Sequence, residues 1–451
     1  MSDPPTDRSH YGAPGFDLRA EGVATLDWVV DYLDRLPELP VLAQVKPGEI
    51  RAALPPAAPE LPEPFSDVLA DLDRVVVPGL TNWQHPRFFS YFSVTSSEPA
   101  MLAEFLAAAL NQVAFIWRSS PAATELEQVM LDWLAQLLGL PAGWHGHLED
   151  TASTSTLSAL IVARHVHDRR AVVFSETAHS SVEKAVRMLA LDPRKLPAGP
   201  DGALRADAVA AAVSAGDVAA VVATVGTTGI AAVDPVEPIG AVCRDAGVWL
   251  HVDAAYAGAA WACPEHRWSQ EGVEFADSLV VNPHKWLFVP ADCSAIWTRH
   301  PARFREAFQL VPEYLRTTDD ADSLSDYGPA LGRRFRSLKL WAVMRCFGAE
   351  AIRERIREAI RLAAHFRGLV ESEPGWTVVA DQRFSLVCFR RDASDAENLA
   401  ILDTVNASGE MFITHTLVND AVALRFAVGN TRTTQRDVEL AWRALLRAGA
   451  R

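Results

Sequence analysis

The stretch Trp249-Leu250-His251-Val252-Asp253-Ala254-Ala255-Tyr256 carries the decisive pattern in this chain. It is an apolar strand that delivers a carboxylate, Asp253, to its C-terminal end and follows it with two small residues. In an open α/β sheet, ligands bind outside the carboxyl ends of the strands. A second stretch repeats the design 29 residues on: the apolar run Ser278–Val281 is followed by Asn282-Pro283-His284-Lys285-Trp286. A lysine beside apolar and aromatic neighbours is desolvated, which disfavours its ammonium form and makes the amine a better nucleophile.

Two further segments have the same layout. Asp150-Thr151-Ala152-Ser153 precedes a helical run over Leu157–Val166, and free backbone N–H groups at a helix start form an anion site. Ala178-His179-Ser180-Ser181 follows the strand Ala171–Phe174 and precedes a helix over Val182–Leu191; a histidine there can lie on a flat ligand. Taken singly, each has an ordinary structural reading: a lysine reaching solvent from a strand end, an Asp capping a turn, a capped helix start, a turn histidine. Together they supply an amine, an acid for a ring nitrogen, an anion pocket and an imidazole cover, which is what pyridoxal 5'-phosphate (PLP) requires.

Outward from these segments, the pattern predicts strands over Ala219–Thr224 and Ser294–Thr298, with helices over Ala206–Ala215 and Ile239–Ala246. Strands alternating with helices imply a mostly parallel sheet covered on both faces. Residues 16–37 read as an amphipathic helix, with Val23, Leu26, Val30 and Leu33 at helical spacing. The segment Lys46–Phe65 holds six prolines and cannot be one regular element. Near residue 349 a long helix begins, with Ile352, Ile356 and Ile360 on one stripe; strands over Ser385–Phe389 and Val422–Val428 and a final helix capped by Thr434-x-x-Asp437 follow. The expected organisation is an N-terminal helical arm (1–85), a large α/β domain (86–348) and a small α+β domain (349–451).

The net charge of -15 argues against a nucleic-acid partner. Five scattered cysteines without a CxxC pair suggest neither a zinc site nor a disulfide framework, so no metal is expected. With no signal-peptide core at the N-terminus and no long apolar run, a cytoplasmic protein without membrane association is expected. No GxGxxG follows the early strands, which disfavours a dinucleotide-dependent dehydrogenase.

The segments His251-Val-Asp253-Ala-Ala-Tyr256 and Asn282-Pro-His-Lys285-Trp286 resemble the group II PLP-dependent decarboxylases, in the aromatic L-amino-acid decarboxylase branch. The likeness extends to Tyr91-Phe92, Ser120-Pro-Ala-Ala-Thr-Glu-Leu-Glu127 and Leu331-Gly332-Arg-Arg-Phe-Arg-Ser-Leu-Lys339. The resemblance implies the aspartate-aminotransferase type I fold, with a mixed, mostly parallel seven-stranded sheet, in a homodimer that shares its active sites. It implies that Lys285 carries PLP as a Schiff base, that Asp253 binds the ring nitrogen, and that His179 and Ala255 lie on the two ring faces. Ala152, Ser153, Asn282, Thr151 and His284 would hold the phosphate, and Thr228 would lie beside the cofactor. A loop of about Arg316–Ala330, with Asp319, Asp320 and Asp322, would close over the substrate and bring Tyr327 as the proton donor, with His179 as relay. Only three residues separate Tyr327 from Leu331, fewer than in the family pattern.

The implied side-chain pocket comprises Trp83, Tyr91, Phe92 and Val94, with Val113 and Phe115 from the partner subunit. Gly332 stands where histidine decarboxylases carry serine. Val94 stands where the family's dopa enzymes have a threonine that reaches a catechol hydroxyl, and valine cannot make that bond. The expected reaction is decarboxylation of tryptophan, phenylalanine or tyrosine to the amine and CO₂. An aromatic aldehyde synthase, or a decarboxylase of another L-amino acid, is the alternative.

Overall fold

A computed structural model describes residues 15–310 and 322–450. Its larger sheet has seven strands: β1 (His145–Glu149), β2 (Ala171–Ser175), β3 (Asp192–Leu196), β4 (Val218–Thr224), β5 (Trp249–Asp253), β6 (Ser278–Val281) and β7 (Ser294–Thr298), in the order β1-β7-β6-β5-β4-β2-β3. β3, β2, β4, β5 and β6 pair in parallel, while β7 runs antiparallel to both β6 and β1. The strands β2, β4, β5 and β6 are buried along their whole length, as expected of parallel strands covered on both faces. This is the mixed, mostly parallel sheet expected of the fold.

The predicted strands and helices of this region are present, with ends displaced by a few residues. Two strands escaped the apolar pattern. β3 reads Asp-Pro-Arg-Lys-Leu because it is an edge strand, where proline and charge block further pairing. β1 reads His-Gly-His-Leu-Glu; it is the other edge strand, and its buried His147 lies 3.4 Å from the Glu149 carboxylate.

The smaller sheet is antiparallel, with β8 (Trp376–Val378), β9 (Leu386–Arg391), β10 (Thr414–Val418) and β11 (Ala421–Ala427) in the order β10-β11-β9-β8. The long helix Ser337–Ser372 is broken at Gly348, whose φ of 70° and ψ of 165° are not helical. The helix expected from residue 349 is therefore its second half, and Ile352 and Ile356 face the core. The capping pattern at Thr434 is present in full: its side chain accepts from the Asp437 amide and the Asp437 carboxylate accepts from the Thr434 amide.

A buried ion pair joins two of the motifs that carry the family resemblance. Arg333 pairs with Glu127 and donates to the Leu148 carbonyl at 2.8 Å, while Glu127 accepts from the Leu148 amide at 2.8 Å. The motifs at 120–127 and 331–339 thus clamp β1 from its outer side. Among the described residues no helix is long and apolar enough to cross a membrane.

Candidate active site

Five loops converge at the carboxyl ends of the strands. Thr151 and Ala152 follow β1, His179 follows β2, Gly226 and Thr228 follow β4, Ala255 and Tyr256 follow β5, and Asn282 to Lys285 follow β6. They enclose a pocket of about 150 Å³ that is also lined by Phe92, Ser153, Thr224, Asp253 and His284. Every residue expected to contact the cofactor therefore lines one pocket.

Lys285 sits in a single helical turn, Pro283–Trp286, directly after β6. Its amine lies 5.8 Å from the centroid of the Phe92 ring. Burial pushes its pKa below the ordinary lysine range, and the Asp253 carboxylate opposes that shift. Asp253 ends β5, is 6% exposed, and accepts from the Ala255 amide at 3.0 Å. Phe92 stacks on Tyr256 with centroids 3.6 Å apart, and Tyr256 stacks in turn on Trp286 at 5.1 Å. The lysine rises beside this aromatic pile.

The end of the pocket beside the helix Ala152–Val166 is built from neutral donors. Thr151 caps the helix Ala152–Val166 without a side-chain bond, so the first amides, those of Ala152 and Ser153, have no acceptor within the helix. The Nδ1 of His284 accepts from the Cys293 amide at 2.9 Å, which leaves the proton of the neutral ring on Nε2. Burial, helped by the nearby Lys285 and Lys339, lowers the His284 pKa to about 4, so the ring is a neutral donor at pH 7. His179 accepts from the Ser181 amide through Nδ1, at 3.2 Å, and is oriented the same way, with Nε2–H free. Desolvation lowers its pKa, Asp253 acts against this and Lys285 reinforces it.

Two polar atoms on this pocket are buried without a hydrogen-bond partner among the described residues: Asn282 Oδ1 and Thr224 Oγ1. Buried polar groups are normally satisfied, and an orphan calls for a partner. Orphaned groups around free helix amides, a carboxylate and a depressed lysine fit a polar, anionic, aromatic cofactor. PLP has those properties. A scan for known families matches the description "Pyridoxal-dependent decarboxylase conserved domain" over residues 47–392.

The chain belongs to the pyridoxal-dependent decarboxylase family.

The decarboxylase chain is 37% identical to the aromatic-L-amino-acid decarboxylase of Rattus norvegicus, over 94% of this chain and 96% of that one. It is 38% identical to the phenylacetaldehyde synthase of Arabidopsis thaliana, over 95% of each chain. Its fold superposes on the crystal structure of Oryza sativa TDC with PLP and tryptamine with a TM-score of 0.93 and 35% identity, covering 100% of this chain and 99% of that one. Its cofactor is PLP.

The expected substrate pocket is only partly gathered. Phe92 lines the Lys285 pocket; Trp83 and Tyr91 stack on each other at 5.6 Å and lie at the surface. Val113 is exposed, Val94 and Phe115 are half-buried, and Gly332 is exposed, with no described atom within 4 Å of where a Cβ would stand apart from its chain neighbours. Tyr327 departs from expectation. It is 2% exposed and packs in a core with Phe304, its ring 4.5 Å from His145 and 5.8 Å from His147. Its hydroxyl donates to Asp322 at 3.2 Å, and it does not line the pocket. It rests against β1 through the His145 and His147 rings. The expected loop lies outside the described residues as far as Ala321, Asp319 and Asp320 included.

Three pocket residues were not anticipated as site residues: Thr224, Gly226 and Tyr256. Thr224 was detectable as a hydroxyl at the end of a predicted strand. Gly226 takes φ +88°, and an added Cβ would lie 2.6 Å from the Ala257 Cβ, so only glycine fits this turn.

Proposed function

We propose that this protein decarboxylates an aromatic L-amino acid to its amine and CO₂, with PLP held on Lys285. The observation that carries the reading is the convergence of Lys285, Asp253, His179 and the Ala152–Ser153 amides on one pocket at the ends of parallel strands. Similarity to an aromatic-L-amino-acid decarboxylase, and to a structure holding tryptamine, the decarboxylation product of tryptophan, supports the substrate class. Val94 leaves a catechol hydroxyl without a donor, which favours tryptophan, phenylalanine or tyrosine over dopa.

When bound, PLP supplies an electron sink for the pair released from the Cα–carboxylate bond. Asp253 would pair with the ring nitrogen and keep a proton there. The amides of Ala152 and Ser153, with Thr151, Asn282 and His284 Nε2–H, would hold the phosphate. Thr228 and Ala255 would border the ring. Lys285, its free-base form favoured by desolvation, would give up its place to the substrate amine and reclaim it at the end. His179 is the group we assign to proton delivery at Cα, because its Nδ1 is fixed on Ser181 and its Nε2–H is free. Tyr327 is not assigned this role, because its hydroxyl is engaged with Asp322.

The dimer is part of the same reading. The helix Leu18–Arg35 buries none of its residues and exposes Leu18, Val23, Leu26 and Val30; the helix Glu98–Leu110 exposes Leu102, Phe105, Leu106 and Leu110. Exposed apolar faces of this size mark interfaces. A second copy covering them would bring its own Val113 and Phe115, which follow the second helix, toward this pocket. Residues 1–85 would form the arm, 86–348 the cofactor domain and 349–451 the small domain of each subunit, in the cytoplasm.

The test is an amino-acid panel assayed for CO₂ and amine with the PLP-loaded enzyme. Aromatic amino acids should give both in equal amounts. No turnover of any of them overturns the reading. Similarity to a phenylacetaldehyde synthase supports a second outcome, in which oxygen is consumed and aldehyde, peroxide and ammonia appear in place of the amine.

A further inference from the structure

Arg425 lies on β11, is 3% exposed, and forms no ion pair with a carboxylate among the described residues. A buried, unpaired guanidinium is costly, and such groups persist where they have another task. Here the donors go to three separate segments. Nε donates to the Gly229 carbonyl at 2.9 Å, Nη1 to Thr414 Oγ1 at 2.9 Å and Nη2 to the Tyr91 carbonyl at 3.4 Å. The guanidinium carbon also lies 5.5 Å from the centroid of the Phe92 ring, within cation–π range.

Both carbonyls belong to loops that furnish the pocket. Gly229 follows Thr228, and Tyr91 precedes Phe92. Tyr91 has φ of 50°, a left-handed conformation that side-chain-bearing residues adopt at a cost and keep only where their surroundings enforce it. The bond to the Tyr91 carbonyl and the charge against Phe92 act at that point.

We propose that Arg425 is a positioning residue: it ties the Tyr91–Phe92 and Thr228–Gly229 backbones to the small sheet and so sets the wall of the Lys285 pocket. A planar fork reaches two carbonyls and a hydroxyl at once, whereas a lysine ammonium on its flexible stem does not. The proposal rests on the assignment of this pocket to PLP and an aromatic amino acid.

The test uses full-length, PLP-saturated Arg425→Lys and Arg425→Met, with three readouts. PLP fixed by borohydride should remain at one per chain. The induced circular dichroism of the bound cofactor, which reports its asymmetric surroundings, should fall by at least half. The KM for the preferred aromatic amino acid should rise at least tenfold, with lysine restoring only a small part of the loss. Unchanged dichroism and a KM within twofold of the parent overturn the proposal. So does loss of PLP in step with a lowered melting temperature, which would make Arg425 a scaffold residue only. Should both variants fail to fold, Thr414→Val removes one anchor of the guanidinium and keeps its charge. A two- to fivefold rise in KM is then expected, and an unchanged KM and dichroism refute the proposal. If the parent enzyme turns over no aromatic amino acid, the substrate reading fails, and the dichroism still decides the role of Arg425.

Discussion

Acid should weaken this fold through a small set of buried histidines. His251 lies in the middle of β5, fully buried, between Ser278 Oγ at 2.9 Å from Nδ1 and Thr156 Oγ1 at 3.3 Å from Nε2. Burial lowers its pKa from 6.5 to about 4; His85 and His284 are lowered to about 4 by the same cause. A histidine with a depressed folded pKa binds its proton more readily when unfolded, so stability is lost as pH falls from 6.5 toward 4. Between pH 7 and 5 each such group costs about 2 kcal/mol, or about 6 kcal/mol for the three. Asp234 opposes this. Burial raises its pKa to about 6, so it favours the folded state as pH falls, by about 1.5 kcal/mol at pH 5. The net loss of about 4 to 5 kcal/mol is a large part of a typical folding free energy. Urea unfolding of cofactor-free protein at one fixed concentration should show a midpoint lower by roughly 1 M at pH 5 than at pH 7. In His251→Gln, which carries no titrating group there, about 2 kcal/mol of the pH dependence should vanish. Coincident midpoints at the two pH values, or an undiminished pH dependence in His251→Gln, would refute the reasoning.

Three further outcomes are expected. Tyr327→Phe should keep turnover within about threefold, since it loses only a hydrogen bond to Asp322; a hundredfold loss of kcat returns Tyr327 to the reaction. Tyr314, which lies outside the described residues, is the other tyrosine of this part of the chain, and Tyr314→Phe in the same assay shows whether the segment supplies a phenol at all. Val94→Thr should raise kcat/KM for dopa relative to phenylalanine by roughly tenfold, the worth of about one hydrogen bond; an unchanged ratio removes Val94 from the substrate pocket. Phe105→Glu combined with Leu106→Glu should halve the mass seen in sedimentation at micromolar protein, and a mass equal to the parent's counts against these helices as the subunit interface.

What the sequence conveyed depended on where each element sits. The central strands were legible because burial on both faces demands largely apolar runs, and β2, β4, β5, β6 and β7 have them, with His251 the polar residue inside β5. Edge elements obey other constraints: β3 carries charge and proline along its open side, and β1, the opposite edge, carries His145, His147 and Glu149 in place of an apolar run. The pocket was legible for a related reason. In a parallel sheet the residue after each strand is placed at one rim by the topology, so a chemical residue type just past an apolar run already has a position. Lys285, Asp253 and His179 stand there, and Ala152 was read from the start of its helix instead. Tyr327 does not follow a parallel strand, and nothing in the pattern placed it; its assignment came from likeness alone, and its ring packs on His145 and His147 of β1 instead. Arg425 was illegible for the opposite reason. It sits inside an apolar strand of the smaller sheet, and its part in the site depends on carbonyls contributed by loops some two hundred and over three hundred residues away, a relation that only the folded chain creates.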